Sequence, residues 1–263
     1  MPIVHIKGRV LPSLALPSVV QITIDNLPQL EWMDTNGGQR FKIVTLIKNS
    51  AIDIEFDVTR YDDAARDEIF KRAWDLARAA VDIYCFSVGW GLTVYLDTLV
   101  SPDGSESTIL PRNEALAAYC TAFDVSPQNT AGPNNLDAFY RLLVSEPPLF
   151  MALNDLIVSI TLPHHATVNC ARAIEGLRVL MVPATDRKQA WPVFQTNLNI
   201  DRPYREYVTD VSTAPRHGDR TFIPGTIVNE TVKRSWIIMN RFLEYRKTGN
   251  QQLPLAQFPL LTG

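Results

Sequence analysis

The hydrophobic period of this sequence changes near residues 101–111, and that change constrains the fold more than any other feature. Before it, four segments show the β-branched enrichment and partial alternation of half-buried strands, at residues 19–24, 41–47, 52–58 and 91–100. After it, apolar residues recur at helical spacing. The sequence therefore predicts an α+β chain, in which a β-rich unit with one long inserted helix precedes an all-helical bundle.

The inserted helix is marked at both ends. Asp62 and Asp63 favour its positive N-terminal end, and Gly89 and Gly91 are expected to stop it. In the second half, helices are predicted at 113–123, 136–144, 149–160, 165–181 and 226–247, with shorter ones near 191–197 and 203–212. Asn134 and Asp201 are predicted helix caps.

These patterns divide the chain into three parts. Residues 1–110 form the predicted β-rich α+β domain, and residues 111–247 form the helical bundle. Residues 248–263 contain two prolines and no helical period. We expect them to form a flexible or docked tail.

Composition narrows the classes of function. The chain has 263 residues and a formal net charge of −3, which excludes a globally basic nucleic-acid coat. Cys85, Cys120 and Cys170 are scattered and form no CxxC pair, which indicates a reducing, cytoplasmic setting. The N-terminus lacks a signal-peptide pattern, and no window resembles a membrane span.

Standard cofactor and metal motifs are missing. There is no P-loop, no GxSxG elbow and no glycine-rich dinucleotide motif, so no cofactor is expected. His164 and His165 lie near Cys170 and Glu175, but a spacing of i to i+5 does not place His165 and Cys170 on one helix face. We expect these histidines to begin a helix and to bind no metal. Residues 101–107 lack the calcium-loop ladder and are predicted to form a hairpin turn.

The stretch VSTAPRHGDR, residues 211–220, carries the most informative polar residues. Pro215 cannot continue the helix predicted before it, so Arg216, His217 and Gly218 are expected just past a helix end. One interpretation is structural, because a cation is favoured at a helix C-terminus and glycine adopts positive φ there.

The order of helices suggests a second interpretation. Segments NCARAIEGLRVLM, YVTDVSTAPRHGDR and IVNETVKRSWIIMNRFLEYRK together resemble the HEPN superfamily, helical bundles that often act as RNases in bacterial defence. The family hallmark resembles Arg-Asn-x-x-x-His-Gly. It implies a metal-independent endoribonuclease in which histidine moves a proton and arginine holds the phosphate. His217-Gly218 matches the hallmark.

The arginine of the hallmark is replaced. Ser212 stands five residues before His217, where the resemblance requires arginine. Arg205 lies about 18 Å from His217 along a helix, which argues against one shared site. The candidate site therefore comprises His217 and Arg216 as catalytic groups and, as RNA-binding groups, Arg172, Arg178 and Ser212. We expect it to be degenerate, and Ser212→Arg to restore part of the missing phosphate clamp.

Three functions follow as hypotheses. The first is an RNase-derived module that binds RNA or nucleotides. The second is a non-catalytic dimerisation or interaction protein whose N-terminal unit senses or binds a partner. The third is a small-ligand pocket lined by Trp90, Tyr95 and Phe139. The resemblance implies a homodimer through the helical unit, since HEPN-like bundles commonly pair in this way, and the last helix is also apolar on several faces.

Overall fold

The computed structural model describes residues 1–12, 21–33, 38–109, 113–122, 136–183, 187–219 and 223–263. The chain divides into two compact units, Met1–Leu110 and Pro111–Gly263. The first is a sheet with one long helix, and the second is helical. The predicted α+β class is confirmed.

The N-terminal unit is built on a six-stranded antiparallel sheet with strand order β2-β3-β4-β1-β5-β6. The strands are β1 (Ile3–Pro12), β2 (Leu30–Met33), β3 (Arg40–Lys48), β4 (Ala51–Val58), β5 (Leu92–Val100) and β6 (Glu106–Thr108). Along β1 and β4, buried apolar residues alternate with more exposed charged ones. One face of the sheet is therefore the core of this unit.

One strand predicted from the sequence does not form in its described part, and three observed strands, β1, β2 and β6, were not predicted. In the described part of the predicted strand 19–24, Ile24 forms only an isolated bridge to Ile47. β1 was not predicted, although it pairs with both β4 and β5. The register of β1 shifts at Gly8, where a Cβ would collide with the Tyr95 carbonyl oxygen. Only glycine fits so close to the neighbouring strand.

The inserted helix α1 (Asp63–Val88) has the predicted ends. Asp62 caps it by accepting a hydrogen bond of 2.9 Å from the Ala65 backbone N–H. Gly89 ends it with a left-handed φ of 71°, and its N–H donates to the Cys85 carbonyl. Small and apolar residues at helical spacing, from Ala65 to Cys85, bury one side of α1 in the core that lines the sheet.

The helical unit contains seven α-helices in its described part. They are α2 (Leu136–Ser145), α3 (Pro147–Thr161), α4 (Ala166–Met181), α5 (Arg187–Leu198), α6 (Arg202–Val211), α7 (Thr213–Arg216) and α8 (Gly225–Lys247). Two short 3-10 helices, Glu114–Tyr119 and Pro163–His165, accompany them. The helix predicted at 113–123 is thus shorter and of a tighter type. The predicted cap Asn134 lies outside the described residues, whereas Asp201 caps α6 as predicted.

The last helix is buried by its own bundle. Ile238, Met239 and Phe242 of α8 are at most 4% exposed and belong to the core shared with α3, α4, α5 and α6. These three residues therefore give no indication of a partner, whereas Ile227, Trp236 and Ile237 of the same helix are half-buried. The exposed apolar residues of this unit lie elsewhere.

The tail after α8 is docked on the helical unit by backbone hydrogen bonds. Leu261 pairs with residues 199–201 as a parallel bridge, and Leu253, 1% exposed, donates its N–H to the Asn197 carbonyl. The buried guanidinium of Arg241 donates to the carbonyls of Leu198 and Asn199 at 2.8 and 2.7 Å and to that of Pro259 at 2.6 Å. One cation thus joins α8, the end of α5 and the tail.

Among the described residues, no single helix is both long and apolar enough to cross a membrane. α2 and α3 meet the length and hydropathy criteria only as a pair, and a bend of 110° separates them.

Candidate functional site

The predicted helix end around His217 exists, but a short helix precedes it. α6 ends at Val211, and α7 follows at once with Pro215 in its first turn. His217 is the C-terminal cap of α7, and Gly218 has the left-handed φ of 89° that the sequence suggested. Arg216 is therefore the last residue of α7, and His217 lies in the turn that follows it.

Arg216 folds back toward its own bundle. One guanidinium nitrogen, Nη1, lies 3.1 Å from Oε1 of Glu175 on α4. The other, Nη2, donates to the Thr209 carbonyl on α6 at 3.3 Å. The side chain is 29% exposed, and that of Glu175 is 23% exposed. The cation next to His217 is thus neutralised by a half-buried carboxylate.

Arg205 and Arg216 both hydrogen-bond to Thr209. Nη1 of Arg205 donates to Oγ1 of Thr209 at 3.3 Å, while Arg216 approaches the carbonyl of Thr209. Arg205 and Thr209 are four residues apart on α6 and therefore share one face of that helix. That Arg205 shares no site with His217 stays a prediction. Two arginines therefore meet at Thr209.

The three charged residues of α4 diverge around the helix axis. Residues 172 and 178 are six positions apart, which places them about 120° apart around the helix, with Glu175 between them. Arg172 points to α3, where its Nη2 lies 3.4 Å from Oδ1 of Asp155. Burial raises the pKa of the Asp155 carboxyl, and the charge of Arg172 opposes that shift. Arg172 and Arg178 consequently serve different sides of α4.

Arg178 and Arg205 both contact Trp191 of α5. Their guanidinium carbons lie 5.4 and 4.7 Å from the indole ring centroid, within the range of cation–π attraction. Arg178 is 4% exposed, and Arg205 is also held by Glu206, 3.1 Å away. Sequence reasoning missed Trp191, because nothing in the spacing of residues shows which ring an arginine will meet.

Ser212 cannot contribute to a binding surface. It is 0% exposed, and its Oγ donates to the Thr209 carbonyl at 2.6 Å. An arginine at this position would begin inside the bundle, which argues against its restoring a phosphate clamp.

The side chain of His217 forms no hydrogen bond with the arginines that the structure describes. His217 is exposed, and its side chain has no hydrogen-bond partner among the residues that the structure describes. The backbone N–H of His217 donates to Thr213 and Ala214 carbonyls, as a helix cap does. Of the predicted site residues, Arg216 and Ser212 meet at the Thr209 carbonyl, to which both donate. Arg178 instead reaches Trp191, and Arg172 turns to α3.

The histidines and cysteine that precede this region form no metal site in the described chain. No group of three or more His, Cys, Asp or Glu side chains there is close enough to share an ion. Cys170 is fully buried, where burial raises the pKa of its thiol and the hydroxyls of Ser159 and Ser235 lie within hydrogen-bond reach. These groups form a polar seam inside the bundle.

Two family models match this chain. Residues 4–110 match the N-terminal domain of the family described as Domain of unknown function (DUF8168), and residues 136–247 match its C-terminal domain. No curated protein and no solved structure matches the chain.

Proposed function

This chain belongs to the DUF8168 family, and we propose that it is a HEPN-like protein whose RNase-derived site has lost catalysis and which works by binding a partner. The observation that carries the proposal is the ion pair between Arg216 and Glu175. An arginine that is held by a carboxylate offers little net charge to a phosphate. The motif therefore has no arginine at the family's spacing, and the arginine beside His217 is paired with a carboxylate.

The chemistry of RNA cleavage explains why this arrangement is unsuited to it. A proton-transfer group and a phosphate clamp must act on one phosphate at the same time. His217 projects into solvent from a helix cap, while the guanidinium of Arg216 turns back to α4 and α6. Without a clamp fixed beside it, the imidazole has no positioned substrate.

The N-terminal unit offers a surface for a partner. Phe86 and Ile83 of α1 are 93% and 72% exposed, and Trp90, just past the helix end, is 47% exposed. Large apolar side chains grouped in this way are typical of protein-binding surfaces. We assign the partner-binding role to this end of α1.

We expect Phe86→Lys and His217→Ala to show whether the partner binds at the end of α1 or at the motif around His217. Phe86→Lys should abolish co-purification of the partner from the native host, because a charge replaces the most exposed apolar side chain of the surface. His217→Ala should leave it unchanged. The measurement is quantitative mass spectrometry of proteins that co-purify with each tagged variant. A partner that is lost with His217→Ala and kept with Phe86→Lys would contradict the proposal.

A second candidate is RNA or nucleotide binding without cleavage. The meeting of Arg178 and Arg205 at Trp191 favours it, since arginine and an aromatic ring are the groups on which bases and phosphates are held. This candidate predicts binding that weakens steeply with salt. We also propose a cytoplasmic location, supported by the three free thiols, which cell fractionation would check.

A further inference from the structure

The outer face of α3 is uncharged along its whole length. Residues at helical spacing form one stripe there, and all of them are exposed or half-exposed: Pro147, Phe150, Met151, Asn154, Ile157, Val158 and Thr161. The opposite face of the same helix carries the buried residues Leu149, Ala152 and Leu156. The helix is thus apolar on two faces, and its own bundle covers only one of them.

The stripe is symmetric about its single amide. Counting from Asn154, positions three and four residues away in both directions are apolar, namely Met151 and Phe150 before it and Ile157 and Val158 after it. An antiparallel copy of the helix would place the same kinds of side chain opposite one another. A two-fold interface requires this self-complementarity.

Asn154 lies at the centre of the stripe with its amide toward solvent. Its side chain has no hydrogen-bond partner among the described residues. An amide carries both a donor and an acceptor, so two copies that meet on a two-fold axis satisfy each other. A single asparagine in an apolar helix seam is also known to fix register.

We propose that α3 pairs antiparallel with α3 of a second copy of this chain, with the two-fold axis at Asn154. Phe150, Met151 and Ile157 are 51%, 49% and 46% exposed. Since a half-exposed large side chain leaves on the order of 100 Å² in water and a smaller one about half as much, the seven residues of the stripe leave roughly 500 Å². Two protomers then cover about 1,000 Å², which reaches the lower bound for a specific interface.

The inference goes beyond the proposed function, because pairing through α3 requires nothing of His217 or Arg216. It also replaces the reason first given for a dimer. Ile238, Met239 and Phe242 of α8 are covered within the bundle, whereas Phe150, Met151 and Ile157 of α3 are not.

Opposite charges introduced at position 154 test the axis directly. Asn154→Asp and Asn154→Lys should each raise the dimer dissociation constant at least about thirtyfold, because like charges meet on the axis. A 1:1 mixture of the two variants should form a heterodimer with a dissociation constant close to that of the unmodified protein. Sedimentation equilibrium at several concentrations measures the dissociation constants of the two variants and of their mixture. Circular dichroism checks that the exposed substitutions leave the helices intact.

Two further variants frame the result. Ile157→Lys should dissociate the dimer, and Val193→Lys, at an apolar residue of α5 that is exposed to the same 46%, should leave it unchanged. The proposal is overturned if the unmodified protein is monomeric at tens of micromolar, whether or not it binds lipid vesicles through this face. It is overturned equally if the mixed Asp and Lys variants fail to associate.

Discussion

Arg241→Met is expected to destabilise the helical unit by about 3 kcal/mol, since three carbonyls lose their donor. Arg241 is 5% exposed, and burial lowers the pKa of its guanidinium. The charge is tolerated because the carbonyls of Leu198, Asn199 and Pro259 receive its hydrogen bonds. Methionine fills the volume but donates nothing. Urea denaturation followed by circular dichroism measures the change, and limited proteolysis shows release of the tail.

Two companion variants make this test specific. Arg241→Lys should recover only part of the stability, because one ammonium cannot span three carbonyls as a planar guanidinium does. Lys233→Met, at a more exposed position on the same helix, should change stability by less than about 1 kcal/mol. Equal stability of Arg241→Met and the unmodified protein would show that the tail is held by other contacts.

Ser212→Arg is expected to cost about 4 kcal/mol, which is the usual scale for an uncompensated buried charge. Ser212 has no exposed surface, and its hydroxyl is bonded to the chain at Thr209. The arginine would therefore disrupt the junction of α6 and α7 instead of supplying a phosphate clamp. Thermal and urea unfolding of the purified variant give the size of the effect.

Ser212→Ala serves as the matched control. It removes the hydroxyl without adding volume and should cost about 1 kcal/mol. A Ser212→Arg protein that is as stable as the Ser212→Ala protein and cleaves RNA would mean that position 212 opens to solvent.

The sequence predicted elements well where a local signal was strong. α1 begins at Asp62 and ends at Gly89 because a capping carboxylate and a left-handed glycine act within one turn. β1 escaped prediction because its alternation is interrupted at Gly8, where the register shifts against β5. The strand predicted at 19–24 failed because β-branched composition does not supply a neighbouring strand to pair with.

The candidate site was harder to predict, because its contacts depend on side-chain direction. The motif correctly placed His217 and Gly218 at a helix end. No spacing rule indicated that Arg216 would turn toward Glu175, which lies 41 residues earlier in the chain. Distances along the chain describe backbone positions, whereas ion pairs form between the far ends of flexible side chains.

Loss of catalysis is tested most directly by single-turnover incubation of labelled single-stranded RNA with excess purified protein in the presence of a chelator. We expect the RNA to remain intact at the rate of a buffer control, with no difference between the unmodified protein and His217→Ala. A filter-binding titration of the same RNA at several salt concentrations shows whether the protein binds RNA without cleaving it. Cleavage by the unmodified protein that disappears in both His217→Ala and Arg216→Gln would contradict the proposal, because it would require the Arg216–Glu175 ion pair to open and present its cation to the phosphate.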